Sequence, residues 1–336
     1  MLLWLEGFDW LQATTHLVER YSGATSVGSL GAPAFGLDGI SAVGPFTFTT
    51  PPLISNPGTT EGDDICVLGY HGRHFASSAN QVVATIQNAG QTKIAVRVQR
   101  RDNSAGDYDL VYEDFDGATL ARVGPFIYGT WYYFEHEIVL DAAVGSIKTW
   151  IDGYLLDSAT NLDTTTGLGA AWDRALIDFP ASSALDNLYL ADGRVSNSPV
   201  DTVAGVFGPM VVEALVPDTV DGDWVIGPTP VAALSTLDGD LSFVESTVVG
   251  QRMNVTFEPA LYSQGGRIAG FQFTAFSKAS GSPGGADVLV NDTLLDTITG
   301  NPTVYVAQEA LNTANPNNSL PWRPEDLDLT LSFVST

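Results

Sequence analysis

Two carboxylates spaced two residues apart on a β-strand share a face, and Glu135 and Glu137 form such a pair. Flanking a cleft, they could serve glycoside hydrolysis, one as the acid and the other as nucleophile or base. The chain lacks the Glu-x-Asp-x-Glu and Glu-x-Asp-x-x-Glu strings that mark a common hydrolase strand, so an acidic outer strand face is the plainer account. No Gly-x-Ser-x-Gly elbow, phosphate loop or dinucleotide fingerprint is present. The chain is therefore expected not to be an enzyme.

Metal-ligand candidates are few. His71-Gly72-Arg73-His74 brings two of the four histidines close in sequence, but a zinc helix needs them one turn apart on one face, and this stretch reads as a strand end or loop. Calcium prefers several oxygen ligands from one loop. Acidic runs occur at Asp63-Asp64, Asp107 to Asp109, Glu113 to Asp116 and Asp218 to Asp223, none with the spacing of an EF-hand. Solvated turns explain them, since Asp and Gly favour turns for backbone reasons. If one run holds calcium, the ligands are Glu113, Asp114 and Asp116; no other cofactor is expected. The single cysteine, Cys66, lies in an apolar run and reads as a buried thiol, which leaves no intrachain disulfide and no cysteine zinc cluster.

Composition sets the frame for these residues. The 336 residues are 44% hydrophobic and only 16% charged, enough to bury a core without staples. With 14 Lys and Arg against 39 Asp and Glu, the formal net charge is -25, which repels nucleic acid and anionic membranes. Met1-Leu2-Leu3-Trp4-Leu5-Glu6 has no positive flank and too short an apolar run for an export signal or a membrane span. Synthesis in a cytoplasm, with no Sec export and no membrane insertion, is the expectation.

The elements that must position the candidates are strands. Gly and Pro, 34 and 18 in number, punctuate short runs rich in Val, Ile, Thr, Tyr and Phe. Residues 93–99 alternate, with Ile94, Val96 and Val98 opposite Lys93, Arg97 and Gln99. Residues 146–152 repeat the pattern and end at the Asp152-Gly153 turn. Trp131 to Leu140 predicts a long central strand with Phe134, His136 and Ile138 on one face and Tyr133, Glu135 and Glu137 on the other. Helix is expected only at Asp9 to Arg20 and Thr303 to Asn312, the second of which could also begin as a strand. Trp4, Trp10, Trp172, Trp224 and Trp322 fall near predicted strand ends or loops, where an exposed ring could stack on a sugar and a covered one anchors a core.

Ser196-Asn197-Ser198-Pro199 breaks the pattern, and only Arg252, Arg267, Lys278 and Arg323 carry positive charge beyond it. This predicts domains 1–198 and 199–336. Strands are expected in the second at 210–216, 223–226, 241–245, 253–258, 267–276, 287–290 and 327–334.

Leu5-Glu6-Gly7-Phe8-Asp9, Gly129 to Glu135, Gly145-Ser146-Ile147, Trp150 to Gly153 and the closing Leu185 to Leu190 together resemble the laminin-G/concanavalin-type jelly-roll domain of many tailed-bacteriophage virion proteins. Asn187 stands where that family commonly has a second Asp, which weakens any metal site carried over from it. Phe207 to Pro217 and Trp322 to Asp328 resemble the second β domain that follows the jelly roll in such proteins. The resemblance implies an all-β chain, a jelly-roll β-sandwich followed by a smaller β domain that makes assembly contacts. It also implies a non-enzymatic virion structural protein, exposed on a tail, baseplate or capsid, in contact with other virion proteins and with further copies of itself, and able to meet a host-surface polysaccharide. A carbohydrate-binding lectin module, with or without calcium, is the alternative.

Overall fold

The computed structural model describes residues 2–6, 25–26, 29–31, 41–54, 64–75, 80–101, 106–165, 167, 169–180, 183–193, 206–210, 212, 215, 217–226, 230–235, 243–258, 268–279, 284–301 and 305–336. The expected helix at 9–20 and Trp10 lie outside them. The chain is all-β and divides into two compact units, Met1–Asn197 with Asp201–Val212, and Ser198–Val200 with Glu213–Thr336. Residues 201–212 therefore group with the first unit, beyond the break read at 198/199.

The first unit contains β1 (Leu2–Glu6), β2 (Thr25–Ser26), β3 (Ser29–Gly31), β4 (Ser41–Val43), β5 (Phe46–Thr49), β6 (Ile65–Arg73), β7 (Gln81–Asn88) and β8 (Gln91–Arg100). It continues with β9 (Asp107–Glu113), β10 (Thr119–Ile127), β11 (Trp131–Val139), β12 (Gly145–Ile151), β13 (Tyr154–Leu162), β14 (Arg174–Phe179) and β15 (Ala184–Asp192). One sheet runs β13-β12-β11-β6-β15-β4-β3, with β1 also on β15, and the other runs β10-β9-β8-β7-β14-β5-β2. All these pairings are antiparallel.

Alternation then dictates the core. Leu68, Tyr70, Phe134, Ile138, Ile147 and Leu190 of the first sheet pack in one cluster with Ile86, Ile94, Val96, Val98, Leu110, Tyr112 and Ile177 of the second. Two antiparallel sheets that share one core form the jelly-roll sandwich. Trp172 is fully buried at its margin and donates its indole N–H to the Ile65 carbonyl at 2.9 Å. Cys66 is buried, and burial pushes its thiol well above its ordinary pKa, so it behaves as a core side chain.

The second unit builds a sheet β16-β19-β24-β21-β22 from β16 (Pro217–Gly222), β19 (Arg252–Phe257), β21 (Gly285–Val290), β22 (Thr293–Thr299) and β24 (Thr330–Ser335). Two ribbons accompany it, β17 (Val225–Ile226) with β18 (Val244–Glu245), and β20 (Phe271–Ser277) with β23 (Val306–Asn312). Met253, Val255, Val288, Val290, Leu331 and Phe333 form its core. Of the two readings open for 303–312, the structure takes the strand: residues 306–312 pair in register with β20, because a partner strand satisfies the backbone where local periodicity is weak. One expectation fails here: the described residues of 210–216 are not in a strand. Among the described residues, helix is limited to one turn and a half at α1 (Pro230–Ser235) and a 3-10 turn at Pro324–Leu327, and no helix among them could cross a membrane.

One row of residues prepares the site described below. Glu135 of β11 pairs with Gly69 of β6, and Gly69 pairs with Tyr189 of β15. A Cβ on Gly69 would sit 1.9 Å from Tyr189 Cε1, so the absent side chain lets the tyrosine ring lie across β6. Gly69→Ala must displace that ring, at a cost of about 1–3 kcal/mol of overpacking, or a midpoint lower by roughly 2–12 °C. Thermal unfolding checks this, and an unchanged midpoint would show that the ring can move aside freely.

Candidate functional site

The predicted carboxylate pair sits on the outer face of the first sheet, with unlike surroundings at its two members. Glu135 is fully buried. Its Oε1 accepts from the Tyr189 hydroxyl, from the Phe207 N–H at 3.0 Å and from the Gly208 N–H at 2.9 Å. Its Oε2 is buried without a hydrogen-bond partner. Glu137 accepts from Lys148 Nζ at 2.6 Å across β11 and β12.

Phe207, Gly208, Pro209 and Val212 lie against this face of the first unit. The Phe207 ring meets Tyr189 edge-on at 5.4 Å, and Pro209 packs over Gly153, whose φ of +84° suits the tight turn between β12 and β13. The Val212 N–H donates to Asn187 Oδ1 at 2.7 Å. Asn187 has φ +50°, a conformation that Asn tolerates better than most residues, at the irregularity of β15 between Asp186 and Tyr189. Its Nδ2 lies 3.2 Å from His71 Nδ1. The Glu135–Glu137 pair thus does not flank an open cleft. One member holds down a strap of the same unit and the other holds a lysine.

The histidines separate as strand alternation requires. His71 faces outward beside Tyr133, while His74 and His136 lie in the core. Burial lowers His71 to about 4 and His74 and His136 to about 3, so all three are neutral at neutral pH. His71 and His74 are not a metal pair.

The calcium candidates also diverge. Glu113 Oε2 accepts from Arg97 Nε at 3.0 Å and Nη2 at 2.8 Å. Asp114 closes a turn, with Oδ1 accepting from the Ala118 N–H at 2.8 Å and its carbonyl from the Gly117 N–H at 3.0 Å. Asp116 is exposed at the tip. Among the described residues no group of three His, Cys, Asp or Glu side chains could hold a metal ion.

What sequence reasoning missed is the set that joins Glu113. On the outer face of the second sheet, Arg122 of β10 donates to Asp109 Oδ2 at 3.1 Å and to Gln99 Oε1, beside the Arg97–Glu113 pair. Asp109 is buried under β10, where a Cβ on Gly124, at φ +152°, would fall 2.4 Å from its Oδ1. Arg97 and Arg122 keep 29% and 47% side-chain exposure, so this row of planar polar groups is both ordered and open. Near the start of β8, Lys93 is buried with Nζ 3.4 Å from the Gly169 carbonyl. The signal in the sequence was the outward set of 93–99, but the partners lie on two other strands.

The second unit carries a polar groove of about 410 Å³ on its sheet, lined by Asp221, Arg252, Asn254, Asp292 and neighbouring threonines. Arg252 is fixed there by Asn254 at 2.8 Å, Ser332 at 2.6 Å and Asp292. Trp224 and Trp322, like Trp172, are anchors. Trp322 is buried and donates to the Asn312 carbonyl at 2.9 Å, and Trp224 donates to the Gln251 carbonyl at 3.1 Å.

No protein-family model matches the chain, and no curated protein matches it. Solved structures with similarity to it include a pentraxin from Limulus polyphemus, at 10% identity and TM-score 0.31, over 38% of this chain and 64% of that one. Another is the CBM2 module of the evolved Dit of Lactobacillus casei BL23 phage J-1, at 10% identity and TM-score 0.32, over 56% and 94%. A third is the GH131 β-glucanase catalytic domain of Podospora anserina, at 12% identity and TM-score 0.32, over 59% and 98%. The sandwich assignment rests on this chain's own strand order and core.

Burial raises the Glu135 pKa above its ordinary value, against the opposing effect of its three donors. A carboxyl that binds its proton more tightly folded than unfolded stabilises the fold fully below its unfolded pKa, and that contribution is lost as pH rises through the folded pKa. Glu135→Gln should therefore erase a fall in stability that begins near pH 4.5 and ends above the raised value. Denaturant unfolding of both chains across that window measures it, and parallel pH profiles would mean that Glu135 is not the titrating group.

Proposed function

We propose that the chain is a non-enzymatic virion structural protein of a tailed bacteriophage, with the sandwich exposed on the particle. The observation that carries this reading is where the resembling stretches fall. Leu5 and Glu6 on β1, Trp131 to Glu135 on β11, Gly145 to Ile147 on β12 and Leu185 to Leu190 on β15 are strands of one sheet, and Leu5 pairs with Tyr189. The scattered motifs thus form one structural unit. The commitment of Glu135 to the strap and of Glu137 to Lys148 supports a non-enzymatic role. A net charge of -25 suits a subunit kept soluble before assembly with other virion proteins and further copies of itself. Immunogold labelling of phage particles should place the chain on head or tail, and particles free of gold would remove the reading.

A second reading, a carbohydrate-binding module, is favoured by the ordered Arg97–Glu113 and Gln99–Asp109–Arg122 row on an open sheet face. Charged and planar donors held in place before binding suit sugar hydroxyls, because little side-chain entropy remains to be lost. A host-surface polysaccharide is the ligand class. In a glycan array, Arg122→Ala should weaken a specific signal about tenfold or more. Arg252→Ala in the second unit should leave it unchanged, and a chelator should have no effect. Absence of any sugar signal at millimolar ligand would remove this reading and leave the virion reading standing.

A further inference from the structure

The core of the sandwich holds more polar atoms than its own groups satisfy. Tyr70 on β6, His74 just beyond it, Tyr108 on β9 and His136 on β11 are at most 1% exposed. Tyr70 OH, His74 Nε2, Tyr108 OH and His136 Nε2 have no hydrogen-bond partner. The four belong to one neighbourhood. The Tyr70 and His136 rings lie 5.7 Å apart, and His74 and Tyr108 lie 5.4 Å apart. Phe134 packs against Tyr70, His74 and His136, and Phe179 against Tyr70 and His74.

The other nitrogen of each histidine is already engaged. His136 Nδ1 meets Tyr112 OH at 2.6 Å, which also meets Thr149 Oγ1 at 2.6 Å, and His74 Nδ1 meets Ser183 Oγ at 3.1 Å. A neutral imidazole has one donor and one acceptor, so either tautomer leaves Nε2 with a bond to make. Four unmet groups in a dry core would offset much of the net stability of a domain, which is why native interiors fill such places with water.

We infer that the sandwich core contains an internal water-binding site formed by Tyr70 OH, His74 Nε2, Tyr108 OH and His136 Nε2. A buried water makes about three hydrogen bonds, so one or two molecules serve the four atoms. Each water donates to an acceptor nitrogen or a hydroxyl oxygen and accepts from a hydroxyl or a ring N–H. The bonded set would join β6, β9 and β11, and so tie the two sheets together through polar contacts inside an otherwise apolar layer.

The test uses the full chain. Water-relaxation dispersion should detect long-lived internal water, and its amplitude should fall in the Tyr70→Phe, Tyr108→Phe double variant. A crystal structure of the wild type should show ordered water within hydrogen-bond distance of these atoms. An amplitude equal in the two chains, or a direct contact between Tyr70 OH and His136 Nε2, would overturn the proposal. Melting separates the same cases independently of the glycan and virion readings. Tyr70→Phe lowers the midpoint if the hydroxyl is bonded to water, and raises it if the hydroxyl was buried dry.

Discussion

Burial of two antiparallel sheets against each other is the constraint on which the rest of the first unit depends. Strand alternation gives each strand one face for that shared core, and every residue on the other face must find solvent or a second cover. β11 shows the consequence most clearly. Phe134, His136 and Ile138 enter the core, and so Glu135 and Glu137 are carried to the opposite side of the same sheet. The two outer faces then have different fates. Gly208 and Val212 close part of one, while the ion-paired row on β8, β9 and β10 leaves part of the other open.

Carboxylates of one chemical kind take different roles through what lies around them. Glu135 is a buried acceptor with a raised pKa, because burial outweighs three donors. Glu137 and Glu113 are partners of a lysine and an arginine. Asp109 is enclosed by β10 and orients Arg122. Pairs of this kind near a surface contribute about 0–1 kcal/mol to stability, so their value lies in the geometry they impose on the guanidinium groups. The row keeps residual exposure, whereas the strap over Glu135 makes the other carboxylate site part of the scaffold.

Much of this was legible in the residues. The alternation of 93–99 and of 131–140 placed Ile94 and Phe134 inward, and the structure does the same. Asp152-Gly153 marked a turn with positive φ at both residues. What was not legible shares one cause. Residues 303–312 have weak local periodicity, and the strand at 306–312 exists because β20 pairs with it. Residues 210–216 read as a strand, yet Val212 bonds to Asn187 instead of to a neighbouring strand. Glu113, Asp114 and Asp116 are close in sequence, but a strand end and a turn direct their carboxylates to Arg97, to a backbone N–H and to solvent.

The sequence by itself determined that the chain is all-β, which strand faces are apolar, where the sharp turns fall and that Cys66 has no partner for an intrachain disulfide. Those properties follow from a two-residue period and from local backbone preferences, which act over a few residues. The tertiary structure alone decided which polar residues are covered, which are open and which are paired. Glu135 meets donors from residues 189, 207 and 208, and Arg122 meets acceptors from two other strands. Solvation and hydrogen bonding of that kind depend on distances between segments far apart in the chain, and only the packed sheets fix those distances.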